Sequence, residues 1–341
     1  MAVVLVTGAA GFIGAHLTSA LLARGDTVIG LDNLNPYYDP ALKQARLDRL
    51  IGPAPGFTFH RMDLADHEAV ASLLQSRPDI THIAHLGAQA GVRWSLEAPF
   101  AYTAANVTGH LSVLEAARRH APALRHMVYA STSSVYGSRT DGPFRETDRV
   151  DRPASLYAAT KIADEAMSSA YADLYGLPLT GLRFFTVYGP WGRPDMAYWL
   201  FTDAILSGRP VRLFNEGRML RDFTFVDDIV SGIIAALDHP AGGHRLYNIG
   251  NSQPEKLLDF LQILEDLLDV KAIRELLPSQ PGDVPNTFAD TSAMRRDFGW
   301  APSTDLRGGL LRFVHWWRDY FPQKHGEPGA FSVRKGSRKK L

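Results

Sequence analysis

The sequence predicts an α/β protein built on a doubly wound parallel sheet, with a smaller C-terminal region that binds substrate. Two observations predict this class. Through residues 1–186, short apolar runs rich in β-branched residues alternate with longer stretches of helical period, as strands and crossover helices do in a parallel sheet. The first apolar run also leads directly into closely spaced glycines and then a helix, which is a typical start for such sheets.

The composition is that of a globular protein without a charge bias. Of the 341 residues, 45% are hydrophobic and 21% are charged, and 36 basic residues balance 36 acidic ones. A net charge of zero gives no global attraction to nucleic acid or to an anionic membrane, so we expect neither as a partner. The absence of cysteine excludes disulfides and thiolate chemistry and fits a reducing cytoplasm, where we expect the protein to reside. The apolar start lacks a basic flank and is interrupted by glycines, which indicates a buried strand rather than a signal peptide.

The first strand, glycine turn and helix predict a dinucleotide site. A β-branched run at 3–6 precedes the glycines, and a helical stretch at 15–23 follows them. Glycines permit a tight turn and the close approach of a diphosphate, whose charge the helix N-terminus meets. The next apolar run ends at Asp32, a carboxylate placed to bind a ribose 2′-hydroxyl and to repel a 2′-phosphate, which favours NAD over NADP. The contacts expected in this part of the chain are Gly8, Gly11, Phe12, Ile13, Gly14, Asp32 and Asn33.

The same alternation continues along the chain. Strands are predicted at 57–61, 82–86, 126–131 and 179–185, and helices at 66–75, 100–120 and 155–175. Asp63 and Leu64 follow a strand, where a side chain beyond the carboxyl end can touch an adenine, although Asp63 also fits an ordinary strand end. Small residues after the strand at 82–86 would let the cofactor pass close to the backbone. The further cofactor contacts that we expect are Asp63, Leu64, Leu86, Ala88 and Asn106.

A tyrosine and a lysine four residues apart predict a proton shuttle beside the cofactor. Tyr157 and Lys161 lie in the run SLYAATK on a predicted helix, where this spacing puts both side chains on one face. The ammonium then favours the phenolate, which makes the tyrosine a usable base near neutral pH. The pattern alone also fits an amphipathic surface pair, but the glycine turn and Asp32 favour the proton shuttle.

These residues resemble the extended short-chain dehydrogenase/reductase family, and within it the nucleotide-sugar epimerases. The resemblance covers residues 2–320 and is most similar to the bacterial UDP-glucuronate 4-epimerases, through VTGAAGFIG, LDNLNPYY, HLGAQAGVRWS, YASTSSVYG, SLYAATK, LRFFTVYGPWGRPDM, RDFTFVDD and QPGDVPNTFAD. It implies a Rossmann fold, tightly bound NAD that is regenerated in each turnover, and a transient 4-keto sugar. It also implies Tyr157 as the general base, Lys161 as its partner and nicotinamide-ribose ligand, and Thr132 as the third catalytic residue.

The segment YASTSSVYG bears on the type of reaction. In related 4,6-dehydratases the positions of Ser133 and Ser134 carry Asp and Glu, and UDP-glucuronate decarboxylases keep Glu at the second position. Hydroxyls at both positions favour 4-epimerisation alone. A UDP-glucose/UDP-galactose 4-epimerase, a UDP-glucuronate decarboxylase and a non-catalytic NAD-binding scaffold protein stay open as alternatives. Within the same run, Ser131 alone is expected to cap the turn that ends the strand.

A uronic acid substrate requires a hold on its carboxylate, because oxidation at carbon 4 gives a β-keto acid that loses carbon dioxide readily. Arg193 can bind a carboxylate bidentately, although a surface cation is the alternative for this residue. Arg93 is a second candidate anion contact, or else part of a structural ion pair. The residues expected to form the carboxylate hold are Thr132, Ser133, Ser134, Thr186 and Arg193.

The C-terminal part is predicted to hold the UDP end of the substrate. Residues 1–186 form the expected NAD-binding domain, 187–325 the substrate-binding region, and 326–341 a basic tail expected to be disordered. By the resemblance, Val211 and Phe214 pack against uracil, and Arg221 binds the diphosphate with Arg218 as a candidate helper. Gln280 stands where UDP-galactose epimerases place an arginine, as it does in the uronate enzymes.

Three further expectations concern packing and assembly. The aromatic residues of the last helix have the spacing of core packing rather than of a cofactor stack; they are Phe313, Trp316, Trp317 and Tyr320. Twelve histidines without metal-ligand spacing predict no metal site. The helices at 100–120 and 155–175 resemble the pair that forms a four-helix dimer interface in relatives, so we expect a homodimer.

Overall fold

The computed structural model describes residues 1–139, 141–240, 242–278 and 286–322. Gln280 and the predicted tail at 326–341 lie outside the described residues.

The first part of the chain alternates strands and helices: β1 (Val3–Thr7), α1 (Phe12–Ala23), β2 (Thr27–Asp32), α2 (Pro40–Ala45), β3 (Phe57–Arg61), α3 (His67–Ser76), β4 (His82–His85), α4 (Pro99–Tyr102), α5 (Gly109–His120), β5 (His126–Thr132), α6 (Leu156–Tyr175) and β6 (Leu179–Phe184). Every strand and helix predicted up to residue 185 is present.

Local signals set the limits of α6, which carries the predicted catalytic pair. The Ser155 side chain accepts a hydrogen bond from Ala158 N at 3.1 Å and so caps the first turn. Gly176 ends the helix in the left-handed conformation, with a φ of 68°. Tyr157 and Lys161 therefore lie in the first turns of α6, at the end of the helix nearest the carboxyl edge of the sheet.

The predicted helix at 100–120 contains an irregularity. Helices α4 and α5 are parts of one continuous helix, joined by a wider π-helical turn at Thr103–Thr108. Such turns occur often at functional sites, because the extra residue redirects a side chain. Asn106 lies within this turn and points into the protein, where its side chain is buried.

The remainder of the chain adds shorter elements. They are β7 (Thr186–Tyr188), α7 (Ala197–Leu206), β8 (Val211–Phe214), β9 (Leu220–Phe225), α8 (Val226–Asp238), β10 (His244–Ile249), β11 (Pro254–Lys256), α9 (Leu257–Leu268), β12 (Arg274–Leu277), β13 (Asn286–Thr287), α10 (Ser292–Phe298) and α11 (Leu306–Tyr320). Strands β7, β11 and β13 all pair with β9, and β8 pairs with β12.

The large sheet has seven parallel strands in the order β10-β6-β5-β4-β1-β2-β3. The order reverses between β1 and β4, and a crevice opens at the carboxyl ends of the strands where such a reversal occurs. This confirms the predicted doubly wound fold of the Rossmann type. Strand β10 comes from beyond residue 187 and was not predicted, so the sheet itself crosses the proposed boundary at 186. That boundary stays a prediction about which part of the chain binds which ligand.

The hydrophobic core joins both parts of the chain through aromatic packing. Phe313, Trp316 and Trp317 of α11 are buried and contact Trp199 of α7 directly or through one another. The ring of Tyr320 stacks on Trp316 at 5.2 Å. The prediction that these aromatic residues form core is confirmed. Among the described residues, none of the helices has both the length and the apolar character needed to cross a membrane.

Two adjacent leucines of α11 test this packing. Leu310 is 0% exposed and Leu311 is 40% exposed. We expect Leu310→Ala to lower the free energy of unfolding by about 2–5 kcal/mol, because it leaves a cavity in the core. Leu311→Ala, the matched control, should cost about 0.5 kcal/mol or less. Urea denaturation of both variants measures the difference, and equal losses would contradict the position of α11.

Candidate active site

The glycine turn after β1 is closely packed against the loop after β4. Gly8 has a φ of +70°, and a Cβ there would lie 2.9 Å from Gly87 Cα. A Cβ on Gly14 would lie 2.0 Å from the carbonyl oxygen of Gly8. Gly11 precedes α1, and no side chain caps the free amides of the first turn, which Phe12 and Ile13 begin. The turn is therefore a cradle of backbone amides that fits a diphosphate.

Asp32 ends β2 beside this cradle. Its carboxylate accepts hydrogen bonds from Ala10 N at 3.2 Å and Leu34 N at 2.8 Å, which fixes its direction. Lys43 of α2 places its ammonium 3.7 Å from Asp32 Oδ1. The carboxylate and the ammonium together provide an acceptor and a donor at the place where a ribose is expected.

The neighbouring adenine region brings Asn33 and Asp63 together. The Asn33 side-chain amide donates to Asp63 Oδ2 at 2.9 Å. Leu64 is buried, and its side chain fills the space over Gly87 that a Cβ would need. The predicted cofactor contacts after β2 and β3 therefore lie next to each other at the carboxyl ends of these strands.

The loop after β4 is tied to the catalytic helix by Asn106. Leu86 and Ala88 are half-buried in this loop at the mouth of the crevice. The Asn106 side chain accepts from Gln89 N at 2.8 Å and donates to Gln89 O at 3.2 Å and to Thr160 Oγ1 at 2.9 Å. Its polar atoms thus bond to protein groups, so its structural effect is to order the loop against α6.

Tyr157 and Lys161 occupy the predicted face of α6. The ring of Tyr157 lies edge-on to Tyr102, with 6.1 Å between centroids, and Tyr102 in turn donates to Ala90 O. Lys161 is buried and makes a 2.9 Å ion pair with Asp164 one turn further along the helix. The prediction did not include Asp164.

The hydroxyl run after β5 forms a tight turn at Ser133–Tyr136. Thr132 accepts a hydrogen bond from Ser134 N at 3.2 Å and so caps this turn, while Ser131 donates to Glu165 Oε1 at 2.5 Å. The prediction that Ser131 alone caps the turn is wrong, because alternate residues of a strand face opposite sides and Ser131 faces α6. Ser133 and Ser134 are half-buried, as is Thr186 at the start of β7.

Arg193 lies in the loop after β7 and forms an ion pair within it. Its Nε and Nη2 atoms donate to the two carboxylate oxygens of Asp195 at 3.0 and 2.5 Å, and Tyr37 OH donates to Asp195 Oδ2 at 3.0 Å. Burial pushes the pKa of Asp195 upward, but the guanidinium outweighs burial, so this pKa is lowered from its ordinary value. Arg193 is thus not a surface cation. Asp195 therefore occupies one bidentate edge of this guanidinium, the one formed by Nε and Nη2.

A second arginine, Arg46, joins the cofactor and substrate sides. It is fully buried and donates to the carbonyl oxygens of Ala10, Trp191 and Gly192 at 3.1, 2.9 and 2.8 Å. It also donates to Tyr38 OH at 2.6 Å. The glycine turn and the loop that carries Arg193 are therefore fixed to one another by a single side chain.

The predicted uridine contacts are only partly brought together. The Arg93 guanidinium lies 5.0 Å from the centre of the Phe214 ring, which places two predicted contacts side by side. The Val211 side chain is buried in the core and presents no surface to a base, so its predicted contact with uracil is not supported. Arg221 is half-buried on β9 and donates to Leu220 O at 3.0 Å. Arg218 is exposed and pairs with Glu216 at 2.7 Å.

Four residues of the site were not predicted: Lys43, Arg46, Asp164 and Asp195. Lys43 and Arg46 are three residues apart in the stretch at 40–51, which is a spacing typical of one helix face and the only sequence signal they carry. Asp195 follows Arg193 by two residues in a loop, where spacing does not predict a contact. Among the described residues, no group of three or more His, Asp or Glu side chains is arranged to hold a metal ion.

Comparison with known proteins identifies the family of this chain. A profile of the NAD-dependent epimerase/dehydratase family matches residues 4–250. The chain belongs to this family. UDP-glucuronate 4-epimerase 2 of Arabidopsis thaliana is 48% identical over 336 residues, which cover 94% of this chain and 76% of the plant protein.

Solved structures of this family superpose on the chain over nearly its full length. The UDP-glucuronic acid 4-epimerase of Bacillus cereus, in complex with UDP-glucuronic acid and NAD, has a TM-score of 0.87 and 34% identity, with 93% of this chain and 99% of that chain covered. The UDP-glucose 4-epimerase of Thermotoga maritima, with UDP-glucose, has a TM-score of 0.84 and 27% identity, with 94% and 99% covered. The resemblance found in the sequence motifs is confirmed.

The contact between Gly14 and the glycine turn can be tested directly. In Gly14→Ala the added Cβ requires the turn to move, because it would lie 2.0 Å from Gly8 O. We expect dinucleotide binding to weaken by at least about tenfold, or about 1.4 kcal/mol. Gly242→Ala is the control, since a Cβ there meets no described atom within 4 Å. Calorimetric titration with NAD, after bound NAD has been removed from both variants, gives the two affinities, and unchanged binding by Gly14→Ala would contradict the proposed cradle.

Proposed function

We propose that this chain inverts carbon 4 of UDP-glucuronate to form UDP-galacturonate, with bound NAD that is regenerated in each turnover. The observation that carries the proposal is the meeting of three features at one edge of the sheet. These are the glycine cradle, the Tyr157–Lys161 pair and the turn of hydroxyls that follows β5. The names of the plant and Bacillus cereus relatives support the same activity.

The residues of the cradle fit NAD. A Cβ at Gly8 or Gly14 would close the space, and Asp32 ends β2 with a carboxylate held toward the crevice. When bound there, NAD would supply an acceptor, and in its reduced form a donor, for a hydride at carbon 4 of the sugar. The predicted residues that we assign to its binding are Gly8, Gly11, Phe12, Ile13, Gly14, Asp32, Asn33, Asp63, Leu64, Leu86, Ala88, Tyr157 and Lys161. We add Lys43 to this set, and we assign to Asn106 the ordering of the adjacent loop.

Tyr157 serves as the base for the sugar 4-hydroxyl. The positive charge of Lys161, one helical turn away, favours the phenolate that accepts this proton. The hydroxyl of Thr132, at the end of β5, provides a hydrogen bond to the same oxygen of the sugar. After the 4-keto sugar turns over, Tyr157 returns the proton and the opposite stereoisomer results.

The site must orient the carboxylate of the uronic acid and still allow the sugar to turn over. Decarboxylation of a β-keto acid requires the breaking bond to align with the carbonyl π-system, so contacts that turn the carboxylate away suppress it. We assign this hold to Thr132, Ser133, Ser134, Thr186 and Arg193. Because Asp195 occupies one edge of the Arg193 guanidinium, the hold is weaker than a free arginine would give, which suits a sugar that has to rotate.

The remaining ligand contacts concern the UDP portion. We assign Phe214 and the neighbouring Arg93 to the uracil side, and Arg221 to the diphosphate. A decarboxylase is disfavoured because Ser133 and Ser134 supply no carboxyl group for protonation after loss of carbon dioxide. A non-catalytic scaffold would have no need of Tyr157, Lys161 and Thr132 together.

Product analysis distinguishes these activities. Purified protein incubated with UDP-glucuronate and no added NAD should yield UDP-galacturonate, detected by anion-exchange chromatography against standards. A UDP-pentose with carbon dioxide would indicate a decarboxylase. Turnover of UDP-glucose with none of UDP-glucuronate would indicate a hexose epimerase, and either result would contradict the proposal.

The role of Tyr157 is tested by removing its hydroxyl alone. Tyr157→Phe should lower kcat by at least about 10²–10⁴-fold, because the proton then lacks its acceptor. The NAD content of the purified protein should not change. Tyr175→Phe at the exposed end of the same helix is the matched control and should keep full activity. Activity of Tyr157→Phe close to that of the control would exclude this residue as the base.

We also propose that two copies of the chain pair through α4, α5 and α6. Large apolar side chains are exposed on these packed helices, among them Phe100 at 85% and Leu174 at 71%. Exposed apolar side chains on neighbouring helices favour a second copy that covers them. The cytoplasmic location expected from the sequence stays a prediction.

A charge placed in this face should separate the copies. We expect Leu174→Asp to convert a dimer into a monomer, because burial of an unpaired carboxylate in an interface is costly. Leu276→Asp, at an exposed leucine of β12, is the control and should leave the mass unchanged. Light scattering after size exclusion measures both. A monomeric unsubstituted protein, or a dimeric Leu174→Asp, would contradict this interface.

A further inference from the structure

Asp164 is a buried carboxylate that the proposed reaction does not use. It lies on α6 one turn after Lys161 and is 0% exposed. Its Oδ2 atom accepts a hydrogen bond from Lys161 Nζ at 2.9 Å. Its Oδ1 atom has no hydrogen-bond partner among the described residues. A carboxylate in such surroundings depends on the ammonium for its stabilisation.

The groups packed around Asp164 contribute little compensating charge. Glu165, the next residue of α6, is engaged by Arg183 of β6 at 2.9 and 2.8 Å. Burial lowers the pKa of His85 on β4 to about 3 and places that of His110 on α5 well below its ordinary value, so both rings are neutral near pH 7.

The two remaining neighbours of this region are also uncharged near neutral pH. Burial raises the pKa of Tyr129 on β5 well above its ordinary value. Burial lowers the pKa of His244 on β10. Lys161 is therefore the group whose charge Asp164 senses most strongly at neutral pH.

We propose that Asp164 is a positioning residue that shares the ammonium charge of Lys161 and so limits the positive field that Lys161 exerts on the Tyr157 hydroxyl. The inference rests on the proposed epimerase function and deepens its mechanism. An ammonium has three donors, so a bond to Asp164 leaves two for other acceptors. A carboxylate at 2.9 Å cancels much of the positive field that Lys161 exerts on the phenol one turn away.

Asp164 changes charge within the working range of such an enzyme. Burial raises its pKa to about 6, although the ion pair with Lys161 acts in the opposite direction. Below that pH the carboxyl is neutral and the field of Lys161 is uncompensated. Above it the pair is neutral overall, and a smaller positive field reaches the Tyr157 hydroxyl.

Asp164→Asn tests this coupling, because the amide keeps the shape of the side chain and removes its charge. We expect the acid limb of the kcat pH profile to move about one pH unit lower. Residues seven apart on a helix are roughly 10 Å from each other, a separation at which a unit charge in a protein shifts a titration by about one unit. Asp173→Asn on the exposed side of the same helix is the matched control and should leave the limb in place. A uniform loss of kcat without movement of the limb would show a purely structural role and overturn the proposal.

A second measurement does not depend on activity. A carboxyl whose pKa is higher in the folded than in the unfolded state contributes less to the free energy of unfolding as pH rises from about 4 through about 6. The unsubstituted protein should therefore lose free energy of unfolding over this interval relative to Asp164→Asn, and Asp164→Ser serves if the amide variant does not fold. Parallel curves would overturn the proposal. Failure of every variant and of the unsubstituted protein to epimerise UDP-glucuronate would instead reject the proposed function.

Discussion

The buried guanidinium of Arg46 connects the two halves of the candidate site. It donates to carbonyl oxygens in the glycine turn and in the loop that carries Arg193, and to the hydroxyl of Tyr38. A buried cation is costly unless its donors are satisfied, so these segments have to fold in mutually consistent positions. The chemistry imposes a similar demand, since transfer of a hydride requires reacting atoms to be held at near contact distance. One side chain therefore links stability to catalytic geometry.

Charges in and around the site occur in pairs. Lys161 is paired with Asp164, Arg193 with Asp195, and Glu165 with Arg183. Burying an ion pair costs desolvation energy, so these pairs are weak evidence for stability of the fold. Their effect on the charge within the site is therefore the more informative property. In the proposed reaction, the pairing at Arg193 would weaken the hold on a substrate carboxylate that moves during each turnover. The pairing at Lys161 would limit the positive field that reaches Tyr157.

Much of the fold and of the cofactor region could be predicted, because the signals are local. Strand and helix periodicity, the glycine turn, Asp32 and the Tyr157–Lys161 spacing all lie within short stretches of sequence. Contacts between distant stretches could not be predicted in this way: Arg46 and Trp191 are 145 residues apart. Strand β10 lies beyond the stretch in which strands and helices alternate regularly and was not predicted. The turn cap was assigned to Ser131, although Thr132 provides it, because the phase of the strand was misjudged by one residue.

In the proposed reaction one hydride leaves carbon 4 and returns to the same carbon without exchange with water. Turnover of UDP-glucuronate labelled with deuterium at carbon 4 measures this transfer. We expect UDP-galacturonate with deuterium retained at carbon 4 and no incorporation of hydrogen from water, read by mass spectrometry and proton NMR. Loss of the label to solvent, or a product that lacks the carboxyl group, would contradict it.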